Sequence, residues 1–244
     1  MKKVSIITAT FNSEKTVKKT IDSILSQDYK NIEYIIMDGE SSDSTVSIIE
    51  SYKENITKFI SERDNGIYDA LNKGVRLASG DIIGFLHSDD FYADKSIISN
   101  VVQNFKDQIA PDIVIGNVTF VNEKNEIDRN YSGENFNFNI GIMPPHPSVF
   151  IKKRCYEKFG YFNTDYKIAA DYDLLFRFLK IKKAKYLYSK NITVNMLSGG
   201  LSNKNIMSIL LLNKEIYKIH QSHNAAISLL DMAKKIPKRI REIL

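Results

Sequence analysis

The sequence has a single cysteine, Cys155, so no internal disulfide can form, and the chain is compatible with a reducing cytoplasm. Nowhere do about 18 apolar residues run together, so no transmembrane helix is expected; Ile206–Leu212 comes nearest and is too short. The opening MKKVSIITATF begins like a secretion signal, but Asn12, Ser13 and Glu14 interrupt it at once, and a strand fits better. The first predicted strand runs into TATFNSEKT, not G-x-G-x-x-G, and no GK[ST] loop occurs. Both absences count against the commonest nucleotide folds. There is no internal repeat and no low-complexity segment. The net charge of +5 suits an anionic ligand or surface and is weak evidence for nucleic acid, which is not expected as a partner.

What is present is 244 residues at 43% hydrophobic content, enough for one large domain or a domain with an appendage. Val4–Thr8 is a β-branched run readable as a strand. Ser13 can cap a helix whose Val17, Ile21, Ile24 and Leu25 share one face. Strands over Ile32–Met37, Lys58–Ser61, Ile82–Leu86 and Asp112–Ile115 alternate with helices begun near Ser41–Asp43, Asn65–Gly66 and Asp94. Such alternation predicts a mostly parallel sheet flanked by helices, with ligands at the carboxyl ends of its strands. Asp38, Glu62 and the pair Asp89–Asp90 all follow predicted strands and should gather on that edge. The adjacent acids of GFLHSDD repel one another, so a cation in a crevice would stabilise them.

The second half reads differently. A hairpin is expected over Thr119–Tyr131, a rigid Pro-rich loop over Met143–Pro147, and a helix from Asp171 with Leu174, Leu175 and Phe178 inward. Strands follow at Lys185–Leu187 and Ile192–Met196, then a Gly199-Gly200-Leu201-Ser202 loop, and helix from Asn205 onward.

Four stretches in order, VSIITATFNSEKTVKKTIDSILSQ, IIMDGESSDST, SERDNGIYDALNKGVRLASGDIIGFLHSDD and AADYDLLFRF, resemble family 2 glycosyltransferases of the GT-A fold and cover roughly residues 3–180. The resemblance implies a GT-A domain over 1–204, with a nucleotide-sugar half to about 118, an acceptor half over 119–204, and a C-terminal helical extension over 205–244. It implies an inverting transfer of sugar from a nucleoside-diphosphate sugar, typically a UDP-sugar, to a hydroxyl of a saccharide or lipid-linked saccharide in bacterial polysaccharide assembly. A divalent cation, Mn²⁺ or Mg²⁺, would bridge carboxylate and diphosphate.

By the same resemblance Asp90 is the expected direct metal ligand, and Asp89 lies near the ribose or the metal; for either, a turn or capping role is the plain alternative. Many relatives carry an acid where this chain has His87. Asp38 is expected to bind the nucleobase, with Thr8, Ala9 and Phe11 in the first-strand turn and Phe11 stacking on the base or packing in the core. Glu62, Asp64, Asn72 and Lys73 resemble the base-and-phosphate loop; many relatives have Arg where Leu71 stands, and Lys73 either supplies charge there or is a solvated surface residue. Asp171 is the expected base for the acceptor hydroxyl, a helix N-cap role being compatible, and Asp173 is second choice. His146 is a candidate diphosphate or metal contact, more often a structural histidine. Gly199, Gly200 and Ser202 are candidates for a loop over the donor, or simply a turn.

In the tail, Leu229, Ala233, Ile236, Ile240 and Ile243 form a stripe flanked by Lys234, Lys235, Lys238, Arg239 and Arg241. This suits peripheral contact with an anionic membrane, at the inner face of the cell membrane, or a solvated helix packed on the domain. Homodimerisation is left open. Two rival classes remain: a metal-dependent nucleotidyltransferase and a non-catalytic sugar-nucleotide binding module.

Overall fold

The computed structural model describes residues 1–198, 206–228 and 230. The expected Gly199, Gly200 and Ser202 loop and the basic tail lie outside these residues.

The first half alternates as its apolar runs dictate: β1 (Val4–Thr10), α1 (Val17–Leu25), β2 (Ile32–Asp38), α2 (Thr45–Glu50), β3 (Lys58–Ser61), α3 (Ile67–Leu77) and β4 (Ile82–Phe85). A short β5 (Asp90–Tyr92) leads to α4 (Ile97–Asn104). Then come β6 (Ile113–Val121), β7 (Ile127–Tyr131), β8 (Val149–Lys152), α5 (Lys153–Phe159), α6 (Ala170–Leu175), β9 (Tyr186–Leu197) and α7 (Ile206–Ser222). All nine strands join one sheet in the order β3-β2-β1-β4-β8-β6-β9-β5, with β7 on β6. The strands β3, β2, β1 and β4 are parallel, as the β-α alternation predicts. Beyond β4 the sheet is mixed: β8 is antiparallel to β4 and β6, and β9 is parallel to β6.

Side chains alternate between two packed layers, as the period of a strand requires. Val4 and Ile6 face Val17, Ile21, Ile24, Ile97 and Val101 of α1 and α4. Ile7 and Ala9 face Ala70, Leu71 and Val75 of α3, in a core that continues to Tyr172 and Phe176 and to Leu212, Ile216 and Ile219 of α7. Each fully buried side chain of this size removes about 1.5–3 kcal/mol of exposure cost. Gly84 lets the sheet take Phe150 at close range: a Cβ there would stand 2.5 Å from the Phe150 ring.

Two departures from the sequence pattern shape the second half. The two expected strands at Lys185–Leu187 and Ile192–Met196 are one strand, β9, which bows where the register with β6 slips between Ile115 and Asn117. The segment after GFLHS, expected as a strand end and loop, pairs as β5 with β9 through Asp90↔Met196. At the amino end of the strands Glu33 is buried and accepts from Ser5 Oγ (2.5 Å), Ser79 N and Oγ (both 2.7 Å) and Lys3 Nζ (3.4 Å). Burial raises its pKa, but these donors outweigh it and bring the carboxyl down to about 2.

Candidate active site

The register places Thr10, Asp38 and Ser61 side by side at the carboxyl end of the sheet. Asp38 is buried, yet its carboxylate is well supplied: Ser41 N (3.0 Å) and Oγ (2.5 Å) and Ser61 Oγ (2.6 Å) all donate to it. A carboxylate has about four acceptor positions, so one remains for a ligand N–H. Phe11 is 62% exposed, which sets aside the core-packing alternative. A Cβ on Gly39 would lie 2.8 Å from Asp64 Oδ2 and 3.4 Å from the Phe11 ring, so Phe11, Gly39 and Asp64 converge on one spot. Asn12, with φ of 48°, turns the chain here; its Oδ1 accepts from Ser42 N and its N–H donates to Ser41 Oγ. This ties the end of β1 to the turn after β2. Asp64 accepts from Gly66 N (2.8 Å) and shapes the turn into α3.

The remaining candidates of this half are placed less directly. Thr8 is buried, and its hydroxyl donates to Leu86 O (2.7 Å), so its side chain braces β4 and the backbone turn. Ala9 is buried in the α3 layer. Asn72, expected at the donor, instead clamps the second half: its Nδ2 donates to Phe162 O and its Oδ1 accepts from Phe162 N, both at 2.9 Å. Burial on α3 leaves its amide engaged with the backbone. Lys73 is paired with Glu62 (2.8 Å) and Asp69 (3.5 Å), which balances its charge on the surface of α3.

The acidic pair divides in an unexpected way. Asp89 is exposed and makes no side-chain hydrogen bond or ion pair among the described residues. Asp90, the acid expected to hold metal directly, is 1% exposed because β5 turns it inward, and neither carboxylate oxygen has a partner. Burial, then the Asp89 charge, raises its pKa well above the ordinary carboxylate value. Around the pair, Ser88 Oγ meets Ser13 Oγ at 2.8 Å, and Thr20 Oγ1 donates to Asp90 O (2.7 Å). His146 is buried, its Nε2 has no partner, and burial with His87 nearby lowers its pKa to about 3. Its ring stacks on Phe85 (5.1 Å) and lies 6.0 Å from His87, whose pKa burial lowers.

No group of three or more His, Cys, Asp or Glu side chains among the described residues is placed to hold a metal ion by itself. Asp89, an open carboxylate free of internal partners, fits a cation whose other oxygen ligands come from a bound diphosphate and water.

An aromatic path crosses from this pair to the second half. His146 meets Phe162 (5.6 Å), and Phe162 stacks on Tyr68 of α3 (5.6 Å). The single Tyr68 hydroxyl proton is shared between Ile168 O (2.6 Å) and, more weakly, Asp171 Oδ1 (3.3 Å). Asp171 lies in the first turn of α6 and also accepts from Tyr172 N (2.7 Å). Burial pushes its carboxyl up to about 6, against the pull of these two donors. Asp173 is committed elsewhere: it accepts from Arg177 Nε (2.8 Å), whose other nitrogens donate to Phe159 O and Tyr161 O.

Residue typing missed Tyr68 and Glu215. Glu215 of α7 is buried and accepts from the backbone N–H groups of Lys167 (2.9 Å), Ile168 (3.0 Å) and Ala169 (2.9 Å). Its signal was present in LLLNKEIYKIH, where an acid falls on the apolar stripe of Leu212, Ile216 and Ile219.

The curled mixed α/β sheet with flanking helices is the architecture of GT-A sugar transferases, the class to which its structural neighbours belong. The family model described as glycosyl transferase family 2 matches residues 5–176, and the chain belongs to that family. It is 28% identical over 189 residues to an uncharacterized glycosyltransferase of Mycobacterium tuberculosis, covering 71% of this chain and 68% of that one. It is 27% identical over 204 residues to a PGL/p-HBAD biosynthesis glycosyltransferase of Mycobacterium bovis, covering 82% and 78%. Solved structures share the fold at 17% identity: a mannosyltransferase of Pyrobaculum calidifontis in complex with GDP-Man and Mn²⁺ (TM-score 0.67, 99% of this chain, 69% of that one) and S. aureus TarS 1–349 in complex with UDP (0.65, 99%, 69%). The chain spans 42% of the longer TarS structure. No helix among the described residues is long and apolar enough to cross a membrane.

Proposed function

We propose that this glycosyltransferase inverts the anomeric carbon of a nucleoside-diphosphate sugar, a UDP-sugar first among candidates, and transfers the sugar to a hydroxyl of a saccharide or lipid-linked saccharide in cell-surface polysaccharide synthesis. The observation that carries the reading is Asp171, a carboxyl pushed up to about 6, fixed by Tyr68 and the Tyr172 N–H. A base poised near neutral pH suits removal of a proton from an attacking hydroxyl. The acceptor oxygen forms its bond to the anomeric carbon, the bond to the diphosphate oxygen breaks, its electron pair leaves with the diphosphate, and Asp171 takes the acceptor proton.

Phe11 stacks on the nucleobase and Asp38 accepts from its ring N–H, the arrangement a uracil would use. UDP in the TarS structure and GDP-Man in the mannosyltransferase support a donor of this chemistry. A divalent cation, when bound, offsets charge on the departing diphosphate; Asp89 would hold it, with the buried Asp90 behind. The basic amphipathic tail supports work at the cytoplasmic face of the membrane, where lipid-linked acceptors reside.

The test is release of nucleoside diphosphate from a panel of UDP-, GDP- and dTDP-sugars, with and without Mn²⁺ or Mg²⁺, by wild type and Asp89→Asn. Metal-dependent release from one donor, lost in the variant, is expected. Release of pyrophosphate or nucleoside monophosphate would replace this reading with nucleotidyl chemistry.

A further inference from the structure

We propose that Glu215, on the C-terminal helix α7, is a positioning residue for the acceptor-hydroxyl base: it holds the 167–169 turn, and through it Asp171, in place. The inference rests on the reading of Asp171 as that base.

The first N–H groups of a helix lack intrahelical partners and are normally satisfied by a side chain at the N-cap. At the start of α6 that position is Ala169, which has no such group, and Asp171 Oδ1 takes a first-turn N–H, that of Tyr172, instead. Glu215, from 46 to 48 residues away, holds the three residues that lead into the helix. Its Oε1 takes Lys167 N, and its Oε2 takes both Ile168 N and Ala169 N. Three successive N–H groups around one carboxylate form an anion-binding nest, which stabilises a charge that burial would otherwise make costly.

The arrangement reaches further than a cap. Ile168 is gripped through both its N–H and its carbonyl: Glu215 accepts from its N–H, and the Tyr68 hydroxyl donates to its carbonyl, with Asp171 Oδ1 sharing that proton at 3.3 Å. A continuous chain, Glu215–Ile168–Tyr68–Asp171, therefore links α7 and α3 to the base. Two further contacts hold α7 against α6: His220 Nε2 meets Tyr172 OH at 2.8 Å, and His223 Nε2 lies 3.6 Å from Asp173 Oδ1.

The titratable groups that act on Asp171 come from both flanking helices. Tyr68 on α3 lowers its pKa by hydrogen bonding, and the Glu215 charge on α7 raises it. On its own helix Asp173 is paired with Arg177. Removing the two partners should therefore shift the acid limb of the rate profile in opposite directions.

The experiment compares Glu215→Gln, Glu215→Asp, Tyr68→Phe and Asp171→Asn in the full chain. Nucleoside-diphosphate release is followed against pH, donor KM is measured, and thermal stabilisation by UDP plus Mn²⁺ reports the donor site independently. Glu215→Gln should lose kcat by about 10- to 100-fold, the scale of a misplaced catalytic group, with donor KM and UDP stabilisation unchanged. Its acid limb should move to lower pH, that of Tyr68→Phe to higher pH, and Glu215→Asp should recover part of the loss. Wild-type kcat and an unmoved limb in Glu215→Gln would overturn the proposal. So would a loss of kcat that merely follows the unfolded fraction. If Glu215→Gln fails to fold, the Glu215→Asp and Tyr68→Phe limbs decide: an unmoved limb in both overturns it. An active Asp171→Asn would remove the base reading itself, whereas an inactive one beside a wild-type Glu215→Gln would remove only the role of Glu215.

Discussion

Asp171→Asn should make the protein more stable and nearly inactive at once. The folded state holds this carboxyl near 6 against an ordinary value of 3.8, chiefly because burial disfavours the charge. A raised carboxyl pKa means that the folded chain binds the proton more tightly than the unfolded chain. The penalty is absent below about pH 3.8, grows as pH rises through the window to 6, and is complete above it. Complete ionisation at full burial would cost up to about 3 kcal/mol. Partial access of Asp171 to water lowers this to about 1–2 kcal/mol. Asparagine keeps an oxygen for the Tyr172 N–H and the Tyr68 hydroxyl and carries no charge. At pH 8 the variant should therefore unfold roughly 3–6 °C higher than wild type, and the difference should vanish near pH 4. Its sugar transfer should fall by about 10²- to 10⁴-fold, the usual contribution of a positioned base. In the wild type kcat should decline below about pH 6 as the base is protonated. Scanning calorimetry from pH 4 to 8, with nucleoside-diphosphate release on the same samples, reads both quantities. A variant that retains activity and gains no stability at pH 8 would refute the reasoning: Asp171 would then be a helix-start acid with no desolvated charge to relieve.

Glu33→Gln should do the reverse. A carboxyl held at about 2 contributes stability that is present above pH 4.5 and is lost as pH falls toward 2, so the variant should lose about 2–3 kcal/mol in urea unfolding at pH 7 and much less at pH 2.5. Gly39→Ala places a methyl 2.8 Å from Asp64 Oδ2 beside Phe11, so UDP binding by calorimetry should weaken by about 10-fold while the unfolding midpoint without ligand shifts little.

The first half was largely legible in the sequence because its information is local. Each strand is a short run rich in apolar and β-branched residues, each helix starts at a small polar cluster, and the parallel order follows from the alternation; Asp38 and Phe11 reach the edge simply because they end β2 and follow β1. The second half is encoded differently. The strand β8 and the helix α5 carry no clear periodic signal in HPSVFIKKRCYEKF, and β9 is one strand only because a bow opposite Gly116 absorbs the polar Ser189–Asn191 stretch. Burial was the main source of divergence within the motifs. In SDD the spacing names two acids but cannot say which one faces out; β5 pairing with β9 decides it, turning Asp90 inward and leaving Asp89 open. Asn72 likewise has the chemistry of a ligand-binding amide, yet packing aims it at the Phe162 backbone.

Asp171 shows why a candidate site carboxylate can be read from sequence while its behaviour cannot. The type and helical position of Asp171 are properties of AADYDLL alone. Its pKa near 6 is not: it depends on desolvation by the surrounding core, on a hydroxyl from α3 103 residues earlier, and on a charge from α7 more than 40 residues later. Each partner lies at an unremarkable place in its own segment, Tyr68 in a helix start and Glu215 in a helix interior. What joins them is that both touch the backbone of Ile168, three residues before Asp171. A carboxylate working as a base must be desolvated enough to hold a proton near neutrality and rigid enough to meet one oxygen of the acceptor. In this chain the first requirement is met by the core beneath α6 and the second by two long-range grips on a single turn. The C-terminal helix is therefore joined to Asp171 through Glu215, and the setting of that carboxyl is as much a product of α7 as of the motif that contains it.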